Sequence, residues 1–361
     1  MRSNNINKIL ITRLGAIGDV VQTLPVVRQL QLNYPSAEIY WVIEKKSYPI
    51  VANQSGINFL IFPKEKIKTF NILAGAWNAR KFRNLMHSIE FDLAIDLQGL
   101  FKSGWIVGNS GAKHKIGFHP ANTREGAHLF LDDWLPEVNA KTMHRVDYYQ
   151  RIIPYLGGQI HRLDDPFQYE LSELEQSSHK NLLHRFRVKR PVIFNLGASK
   201  ATKRWPAEHF GELISLISKR FPKENLLLTG QGNADEIWAR KILTILPPGS
   251  CESAVSKTNL RDLAILVKHS KCIISCDSLA LHLGSAFQIP SIGIFGGSAL
   301  KIETGPYFNG NSDALDNPMP CYPCRKRICQ HHSCMQGLSA QKVASAVSKV
   351  LNNLNSTQAI K

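Results

Sequence analysis

The first segment that could do chemistry is a glycine-bearing loop, Arg13–Asp19, which follows a short apolar run ending at Thr12. Gly15 and Gly18 permit a tight turn and the close approach of a ligand. Their Gly-x-x-Gly spacing differs from the Gly-x-Gly-x-x-Gly pattern of dinucleotide-binding folds. Asp19 stands where the next helix is expected to start. It could cap that helix, or it could present a carboxylate that takes a proton from a substrate.

A second loop combines cations with hydroxyl groups. It spans 199–206, between the apolar run 191–196 and a predicted helix, and its polar members are Ser199, Lys200, Thr202, Lys203 and Arg204. Phosphate groups favour this mixture of cations, hydroxyls and a helix N-terminus. Pro206 suits the first turn of the helix that follows. The alternative is a solvated basic loop that binds nothing.

Two further strand ends carry polar groups. The glycine-rich turn Thr229–Gly232 precedes Glu236, a carboxylate that could accept hydrogen bonds from two ribose hydroxyls. Asp277 and Ser278 follow another apolar run, and His282 lies about one helical turn later. These groups could contact a diphosphate and a ribose, or Asp277 or Ser278 could simply cap the helix.

Four of the seven cysteines lie close together, with His331 and His332 among them: Cys321, Cys324, Cys329 and Cys334. Four thiolates in so short a loop could hold zinc tetrahedrally, and free thiols in a tight loop are the alternative. The other three cysteines, Cys251, Cys272 and Cys276, are expected to be buried core thiols. Zinc at the cluster is therefore a secondary hypothesis.

Short apolar runs that alternate with helical patterns must position these loops. The predicted strands are 8–12, 37–42, 59–62, 93–95, 191–196, 225–229, 271–276 and 291–295, and the predicted helices include 20–33, 207–220 and 339–354. This order predicts an α/β protein whose parallel sheets are joined by right-handed crossovers.

The pattern of strands starts twice, and a length of 361 residues suits two domains. We predict an N-terminal domain over 1–165, a linker over 166–189, a C-terminal domain over 190–340 and a final helix over 341–361. Ligands of open parallel sheets bind at the carboxyl ends of the strands. A cleft between the two domains is therefore the expected site.

Composition narrows the class of protein. The chain has 43% hydrophobic and 20% charged residues, as ordinary globular proteins do, and a net charge of +16. So basic a chain is expected to meet polyanions: nucleic acid, an anionic membrane surface or phosphorylated substrates. The sequence contains no apolar stretch long enough to span a membrane, and its polar start lacks the apolar core of a signal peptide. A cytoplasmic protein is the expectation.

Taken together, the motifs resemble those of glycosyltransferase family 9, the bacterial lipopolysaccharide heptosyltransferases. The ordered set is Arg13–Asp19 with Thr23–Pro25, Ile95–Ser103, Lys203–Pro206, Asp277–Ser278 with His282, and Phe295–Gly296 with Thr304–Pro306. The resemblance runs from about Ile9 to the last helix. Ile95–Ser103 and the stretch 122–125 are most similar to the heptosyltransferase I type, which adds the first heptose to the Kdo sugar of lipid A.

The resemblance implies a GT-B fold, in which two Rossmann-like domains face each other across a cleft. The N-terminal domain would bind the acceptor, Kdo-lipid A, and the C-terminal domain the nucleotide sugar ADP-heptose. The reaction would be inverting and would need no metal or other cofactor. The enzyme would act peripherally on the anionic cytoplasmic face of the inner membrane, with no nucleic-acid partner.

The resemblance also implies roles for single residues. Asp19 would be the catalytic base, and Arg124 would face the anionic acceptor together with basic surface residues such as Lys64. Residues matched to the donor site are Ser199, Lys203, Glu236, Asp277, Ser278 and His282. Leu279 stands where the family usually has glycine, which bears on donor affinity or identity.

Three other functions compete with this interpretation. A family 9 enzyme acting at a second or third heptose, or with another nucleotide sugar, fits Leu279 and the cysteine cluster. A nucleic-acid-binding protein would explain the charge, but the sequence shows no basic repeat or known binding module. A nicotinamide-dependent oxidoreductase is disfavoured by the missing glycine fingerprint.

Overall fold

The computed structural model describes residues 6–307, 310–324 and 326–359. The chain divides into two compact units, with the boundary between Glu170 and Leu171. Each unit contains one six-stranded sheet in which all the strand pairs are parallel. This confirms the predicted α/β class.

The first unit is built around the sheet order β3-β2-β1-β4-β5-β6. Its strands are β1 (Lys8–Thr12), β2 (Glu38–Glu44), β3 (Ile57–Phe62), β4 (Leu93–Asp96), β5 (His114–Gly117) and β6 (Asp133–Trp134). Its α-helices are α1 (Ile17–Val21), α2 (Leu24–Asn33), α3 (Lys64–Ile67), α4 (Ile72–His87), α5 (Phe101–Gly108), α6 (Arg145–Gln150) and α7 (Ile152–Tyr155). Four short 3₁₀ turns lie at 48–50, 120–122, 127–130 and 140–142.

The second unit has the sheet order β12-β11-β10-β7-β8-β9. Its strands are β7 (Val192–Asn195), β8 (Leu226–Thr229), β9 (Glu252–Ser253), β10 (Cys272–Cys276), β11 (Ser291–Phe295) and β12 (Asp313–Asp316). Its α-helices are α8 (Glu173–Arg185), α9 (Ala207–Arg220), α10 (Asn233–Ile245), α11 (Leu260–Lys268), α12 (Leu279–Ala286), α13 (Lys301–Thr304), α14 (Ser333–Gln336) and α15 (Ala340–Ala359), and a 3₁₀ turn covers Ala201–Lys203.

Both sheets contain a point where the strand order reverses. In the first unit it lies between β1 and β4, and in the second between β7 and β10. The connections on the two sides of such a point run to opposite faces of the sheet, so the strand ends there are left open to a ligand. The loops after β1 and β7 are among those that the sequence singles out for chemistry.

The predicted helix over 20–33 is wrong in one respect, because the structure divides it into α1 and α2. The break falls at Gln22 and Thr23, and α2 begins at Leu24 with Pro25 in its first turn. Proline has no amide hydrogen to donate, and its ring clashes with the carbonyl four residues before it. Pro25 therefore suits the start of a new helix and cannot continue α1.

The segment predicted as a linker, 166–189, contains α8. Ser172 caps this helix reciprocally with Glu175. The guanidinium of Arg261, on α11, donates to the Glu175 carboxylate, so α8 is held against the second unit. The final helix α15 also belongs to that unit, because its apolar side chains, such as Val347 and Leu351, pack into the hydrophobic core of the second unit.

Trp205 anchors the loop after β7 to the core of the second unit. Its indole is fully buried against Phe210, and its Nε1 donates to the Leu338 carbonyl over 2.9 Å. Because Trp205 directly follows residues 199–204, its burial fixes the end of this loop where α9 is about to start. In the first unit the buried Trp41 holds the loop after β1 similarly, by donating to the Arg13 carbonyl over 3.1 Å.

Within the described ranges, no helix combines the length and the apolar character that are needed to cross a bilayer.

We predict that Trp205→Phe lowers the free energy of unfolding by about 1–3 kcal/mol, because it leaves a void and an unpaired Leu338 carbonyl. Urea unfolding followed by far-ultraviolet circular dichroism measures this change. Trp134→Phe is the matched control, because Trp134 is 40% exposed, and it should change stability by less than about 0.5 kcal/mol. Equal effects of the two substitutions would contradict the anchoring role.

Candidate active site

Asp19 lies inside α1, and the N-cap residue of this helix is Ala16. The capping interpretation of Asp19 is therefore wrong. Its carboxylate pairs instead with the guanidinium of Arg13. Arg13 also donates to the Leu97 carbonyl over 3.0 Å, and its guanidinium lies 5.4 Å from the centre of the Tyr149 ring. These contacts fix the Asp19 carboxylate at the carboxyl ends of β1 and β4.

Several buried polar atoms near this pair have no partner among the described residues. They include Arg13 Nε, the Tyr149 hydroxyl and Ser47 Oγ, and Ser47 lies beside Gly15. Burial raises the pKa of Tyr149 to about 12, so its phenol stays protonated at neutral pH. Buried polar groups normally find a hydrogen-bond partner, so this edge of the sheet is suited to a polar ligand.

A buried glutamate at the end of β2 gathers three lysines. Glu44 accepts from Lys64 over 3.1 Å and from Lys102 over 2.8 Å, and Lys46 Nζ lies 3.4 Å away. Burial alone would raise the pKa of Glu44, but the hydrogen bonds from Lys102 and Lys64 outweigh it and hold the pKa below its ordinary value. The result is a cluster with an excess of positive charge at the same edge of the sheet as Asp19.

Asp96, at the end of β4, shapes the adjacent loop. Its buried carboxylate accepts from the backbone amides of Gln98 and Gly99 and from the Ser103 hydroxyl. Burial raises its pKa against these hydrogen bonds. The amide of Arg124 donates to the Gly99 carbonyl over 2.8 Å, so the exposed side chain of Arg124 starts beside this loop. Arg124 and Lys64 therefore both lie toward the carboxyl edge of the first sheet.

In the second unit, a buried carboxylate holds a lysine at the carboxyl edge. Asp277 pairs with Lys203, and His282 Nε2 lies 3.4 Å from its other oxygen. Burial opposes the charged form of Asp277, but the hydrogen bond from His282 and the charge of Lys203 outweigh it and hold the pKa well below its usual range. The three residues come from two segments, the loop after β7 and the start of α12.

Ser278 takes part in a second polar network at this edge. Asn195 Nδ2 donates to Ser278 Oγ over 3.0 Å and to Ser275 Oγ over 3.2 Å, while Thr229 Oγ1 donates to Asn195 Oδ1 over 3.1 Å. Because Ser278 Oγ is used here, the first turn of α12 receives no hydrogen bond from this capping side chain, as far as the described residues show. Ser278 therefore occupies the N-cap position of α12, as the capping interpretation expected, but its side chain does not bond to the helix, which leaves backbone amides at the start of α12 available to an anion.

The other predicted donor residues are more peripheral. Glu236 is half-buried in the first turn of α10, and Ser199 is exposed in the loop after β7. The acid beside Glu236, Asp235, is fully buried and pairs with Arg204. Asp235 also accepts from the Gln231 amide over 2.8 Å and so fixes the glycine-rich turn after β8.

The cysteine cluster braces the loop that carries Lys203. His332 Nε2 lies 3.2 Å from the carbonyl oxygen of Thr202, and Thr202 Oγ1 donates to the Lys326 carbonyl over 2.6 Å. In the described part of the chain, no three His, Cys, Asp or Glu side chains come together as a metal site. The structure thus does not support zinc at the cluster of Cys321, Cys324, Cys329 and Cys334, which are free thiols, as are Cys251, Cys272 and Cys276.

Sequence reasoning missed three residues that organise these sites: Glu44, Asn195 and Asp235. Glu44 and Asn195 share a detectable signal, since each is a polar residue that closes an apolar run and so falls at the carboxyl end of a strand. Asp235 gave no comparable signal, because it sits beside Glu236 in the first turn of a helix, where acidic residues are common.

Comparison with known proteins identifies the class. The model of glycosyltransferase family 9 (heptosyltransferase) matches residues 79–334. Lipopolysaccharide heptosyltransferase 1 of Campylobacter coli is 28% identical over 305 residues, which cover 80% of this chain and 84% of that protein. This chain is a glycosyltransferase, and it belongs to family 9.

Solved structures agree on the fold. A family 9 glycosyltransferase from Veillonella parvula has a TM-score of 0.82 at 18% identity and covers 97% of this chain and 99% of its own. The ADP-heptose lipopolysaccharide heptosyltransferase II of E. coli has a TM-score of 0.73 at 22% identity, and the match covers 96% of this chain and 99% of that one. The expected GT-B fold is confirmed, and the resemblance drawn from the motifs is confirmed with it.

We predict that Asp277→Asn lowers the free energy of unfolding by about 3 kcal/mol at pH 7, because it removes the buried charge that pairs with the half-buried Lys203. The native pKa of Asp277 lies below its value in the unfolded chain. The stability that it contributes is therefore fully present above about pH 4–5 and is lost as the pH falls toward the native pKa.

The difference between wild type and Asp277→Asn should accordingly shrink between about pH 5 and pH 3, as measured by urea unfolding. Asp313→Asn, at an exposed position of β12, serves as control and should change little at any pH. A difference that stayed constant down to pH 3 would show that the Asp277 charge does not stabilise the fold.

Proposed function

We propose that this enzyme is an inverting heptosyltransferase that moves L-glycero-D-manno-heptose from ADP-heptose to the Kdo-lipid A inner core of lipopolysaccharide. Membership of family 9 supports the class of sugar transferred. The observation that carries the proposal is the Lys203 ammonium, held by buried Asp277 beside the uncapped start of α12.

This arrangement suits a nucleoside diphosphate. The ammonium of Lys203 has three donors and pairs with Asp277, which leaves further donors for phosphate oxygens. The amides at the start of α12 add a partial positive charge without a side chain. Both groups are set in place before the ligand arrives, so they can stabilise the negative charge that builds on the departing ADP. No metal ion is needed in this scheme.

The acceptor half of the reaction falls to Asp19. An acceptor hydroxyl attacks the anomeric carbon, so a new carbon–oxygen bond forms as the bond from that carbon to the diphosphate breaks. Asp19 takes the hydroxyl proton, and the electron pair of the broken bond leaves with ADP. Arg13 orients the Asp19 carboxylate for this step and acts as a positioning residue.

The positive groups of the first unit suit the acceptor. Kdo carries a carboxylate and lipid A carries phosphates. Lys64 and Lys102 are held by Glu44 at the carboxyl edge of the first sheet, and Arg124 is exposed beside the loop after β4. Lysines paired with a buried acid are oriented in advance, so less side-chain entropy is lost when they meet an anion.

Further roles at the donor site are proposed for the other residues that the sequence predicts there. Glu236 would bind the ribose hydroxyls, Ser199 and Ser278 the diphosphate, and His282 would act through Asp277. Leu279 is half-buried as the first residue of α12, next to the proposed diphosphate site. It bears on donor choice. The enzyme is proposed to work in the cytoplasm at the anionic face of the inner membrane.

A second candidate is transfer to a later heptose of the core. A lipooligosaccharide heptosyltransferase 2 of Campylobacter jejuni favours it, because that protein is 27% identical to this chain over 170 residues, which cover 46% of this chain and 52% of that protein. The two alternatives use the same donor site and differ only in the acceptor. Assays with different acceptors therefore separate them.

We predict that the purified protein releases ADP from ADP-heptose only when Kdo-lipid A is present. A coupled assay for ADP, with nuclear magnetic resonance of the product to establish the anomeric configuration, makes the measurement. Release with a heptosylated core but not with Kdo-lipid A would move the enzyme to the later step. If neither acceptor led to ADP release although ADP still bound, the proposed donor or acceptor would be refuted.

We predict that Asp19→Asn lowers kcat by about 100-fold or more, because the amide cannot take the proton. The Kd for ADP, measured by isothermal titration calorimetry, should remain within about twofold of wild type. Asp132→Asn is the matched control, because Asp132 lies in the same unit before β6, at the opposite edge of the sheet. Near-normal turnover by a folded Asp19→Asn enzyme would rule out the role as base.

A further inference from the structure

Four strongly exposed apolar residues of the first unit lie close together in the sequence, around the start of α4. Phe70, Ile72 and Leu73 have relative exposures of 110%, 82% and 82%, and Trp77 follows at 62%. We call these four residues the α4 apolar patch. Soluble proteins seldom leave several large apolar side chains side by side in water, and such a patch commonly marks an interaction surface.

Two of these residues share a face of α4. Leu73 stands four residues, about one helical turn, before Trp77, whereas Gly75, Phe82 and Met86 form the buried face of the helix. Phe70 and Ile72 lie at the start of the helix, on either side of its N-cap residue Asn71. The helix is therefore already anchored by its other side. The α4 apolar patch is not needed to attach α4 to the sheet, and its exposure has no structural explanation within this unit.

Positive charge surrounds the α4 apolar patch. The segment 64–87 contains a single acidic residue, Glu65, and six basic ones: Lys64, Lys66, Lys68, Arg80, Lys81 and Arg83. The basic residues come before the patch, in α3 and directly after it, and follow the patch in α4. Lys81 Nζ lies 5.3 Å from the centre of the Trp77 ring. Lysine stems can lie along apolar surface while the ammonium groups reach into a polar layer.

The apolar patch and the basic residues around it together favour one kind of binding partner. A second copy of the chain would bring an equally basic segment against this one, and the charges would repel. The patch also protrudes, since Phe70 is more exposed than in an extended peptide, so it suits a soft apolar layer better than a flat protein surface. An anionic bilayer offers both an apolar interior and a negative surface.

We propose that the α4 apolar patch inserts into the headgroup region of an anionic membrane, while the lysines and arginines around it bind the phosphate groups of the lipids. Aromatic residues, Trp above all, favour this boundary layer. The inference rests on the proposed function only for the identity of the membrane, and it gives that function a definite docking element.

Vesicle sedimentation tests the proposal with the full-length protein and needs neither donor nor acceptor. The vesicles are phosphatidylcholine with or without about one third phosphatidylglycerol. The test variant is Phe70→Ser/Leu73→Ser. The matched control, Ile160→Ser/Leu174→Ser, removes two apolar side chains that are 50% and 76% exposed outside the patch.

We expect the test variant to bind anionic vesicles at least tenfold more weakly than wild type, and the control to bind within twofold. Binding by wild type should fall in neutral vesicles and in high salt. In vesicles of brominated lipid, wild-type fluorescence should be quenched, and Trp77→Phe should lose part of that quenching. Because the substituted side chains are exposed, the thermal midpoints should stay close to that of wild type.

Wild-type affinity in the test variant, or no binding of wild type to anionic vesicles, would overturn the proposal. A dimer that Phe70→Ser/Leu73→Ser abolishes, without vesicle binding, would assign the patch to a second copy instead. The reaction itself is checked separately with detergent-dispersed acceptor, where the test variant should release ADP as wild type does. A loss of that activity would concern the proposed function and not the membrane contact.

Discussion

The carboxyl edge of the second sheet depends on one buried charge, the carboxylate of Asp277. A charge in such a place must be paired, because burial without partners costs several kcal/mol. Lys203 and His282 supply the pairing from two different segments, the loop after β7 and the first turns of α12. The ion pair thus fixes both segments at the point where the strand order of the second sheet reverses. A lysine that is bound in this way presents its remaining donors in a defined direction.

Similar pairs of an acidic side chain and a cation occur at the carboxyl edges of both sheets. Glu44 holds lysines after β2, Asp19 pairs with Arg13 after β1, and Asp235 pairs with Arg204 after β7. In each case an acidic side chain sets the direction of a cation without cancelling the excess of positive charge in the chain. A transferase whose donor is a diphosphate and whose acceptor is anionic needs such preset cations, since water would otherwise have to be reorganised during the reaction. Part of the net charge of +16 is therefore concentrated in cations that acidic side chains orient at these sheet edges.

The sequence was informative where chemistry and local pattern coincide. Asp19, Lys203 and Asp277 follow apolar runs, and parallel strands bring such positions to one edge, so their location could be predicted. The partners of these residues could not be. The contacts of Asp19 with Arg13 and of Asp277 with Lys203 depend on side-chain directions and on strand order, which periodicity does not specify.

Local patterns were also misleading in particular places. The amphipathic pattern over 20–33 continues across Pro25, although proline there starts a second helix. Short strands such as β6 and β9, with two residues each, are too brief to show a period. The spacing of the cysteines suggested zinc as a secondary hypothesis, and among the described residues no three possible ligands are found together. The segment instead supports the loop of Lys203 through Thr202.

The central claim is that Lys203 and the start of α12 form the diphosphate site. A crystal structure of the enzyme with ADP-heptose tests it most directly. The account predicts a diphosphate oxygen within hydrogen-bond distance of Lys203 Nζ and another on the backbone amides at 279–281, with Asp277 still bound to Lys203. A diphosphate bound elsewhere, with Lys203 and Asp277 untouched, would contradict it.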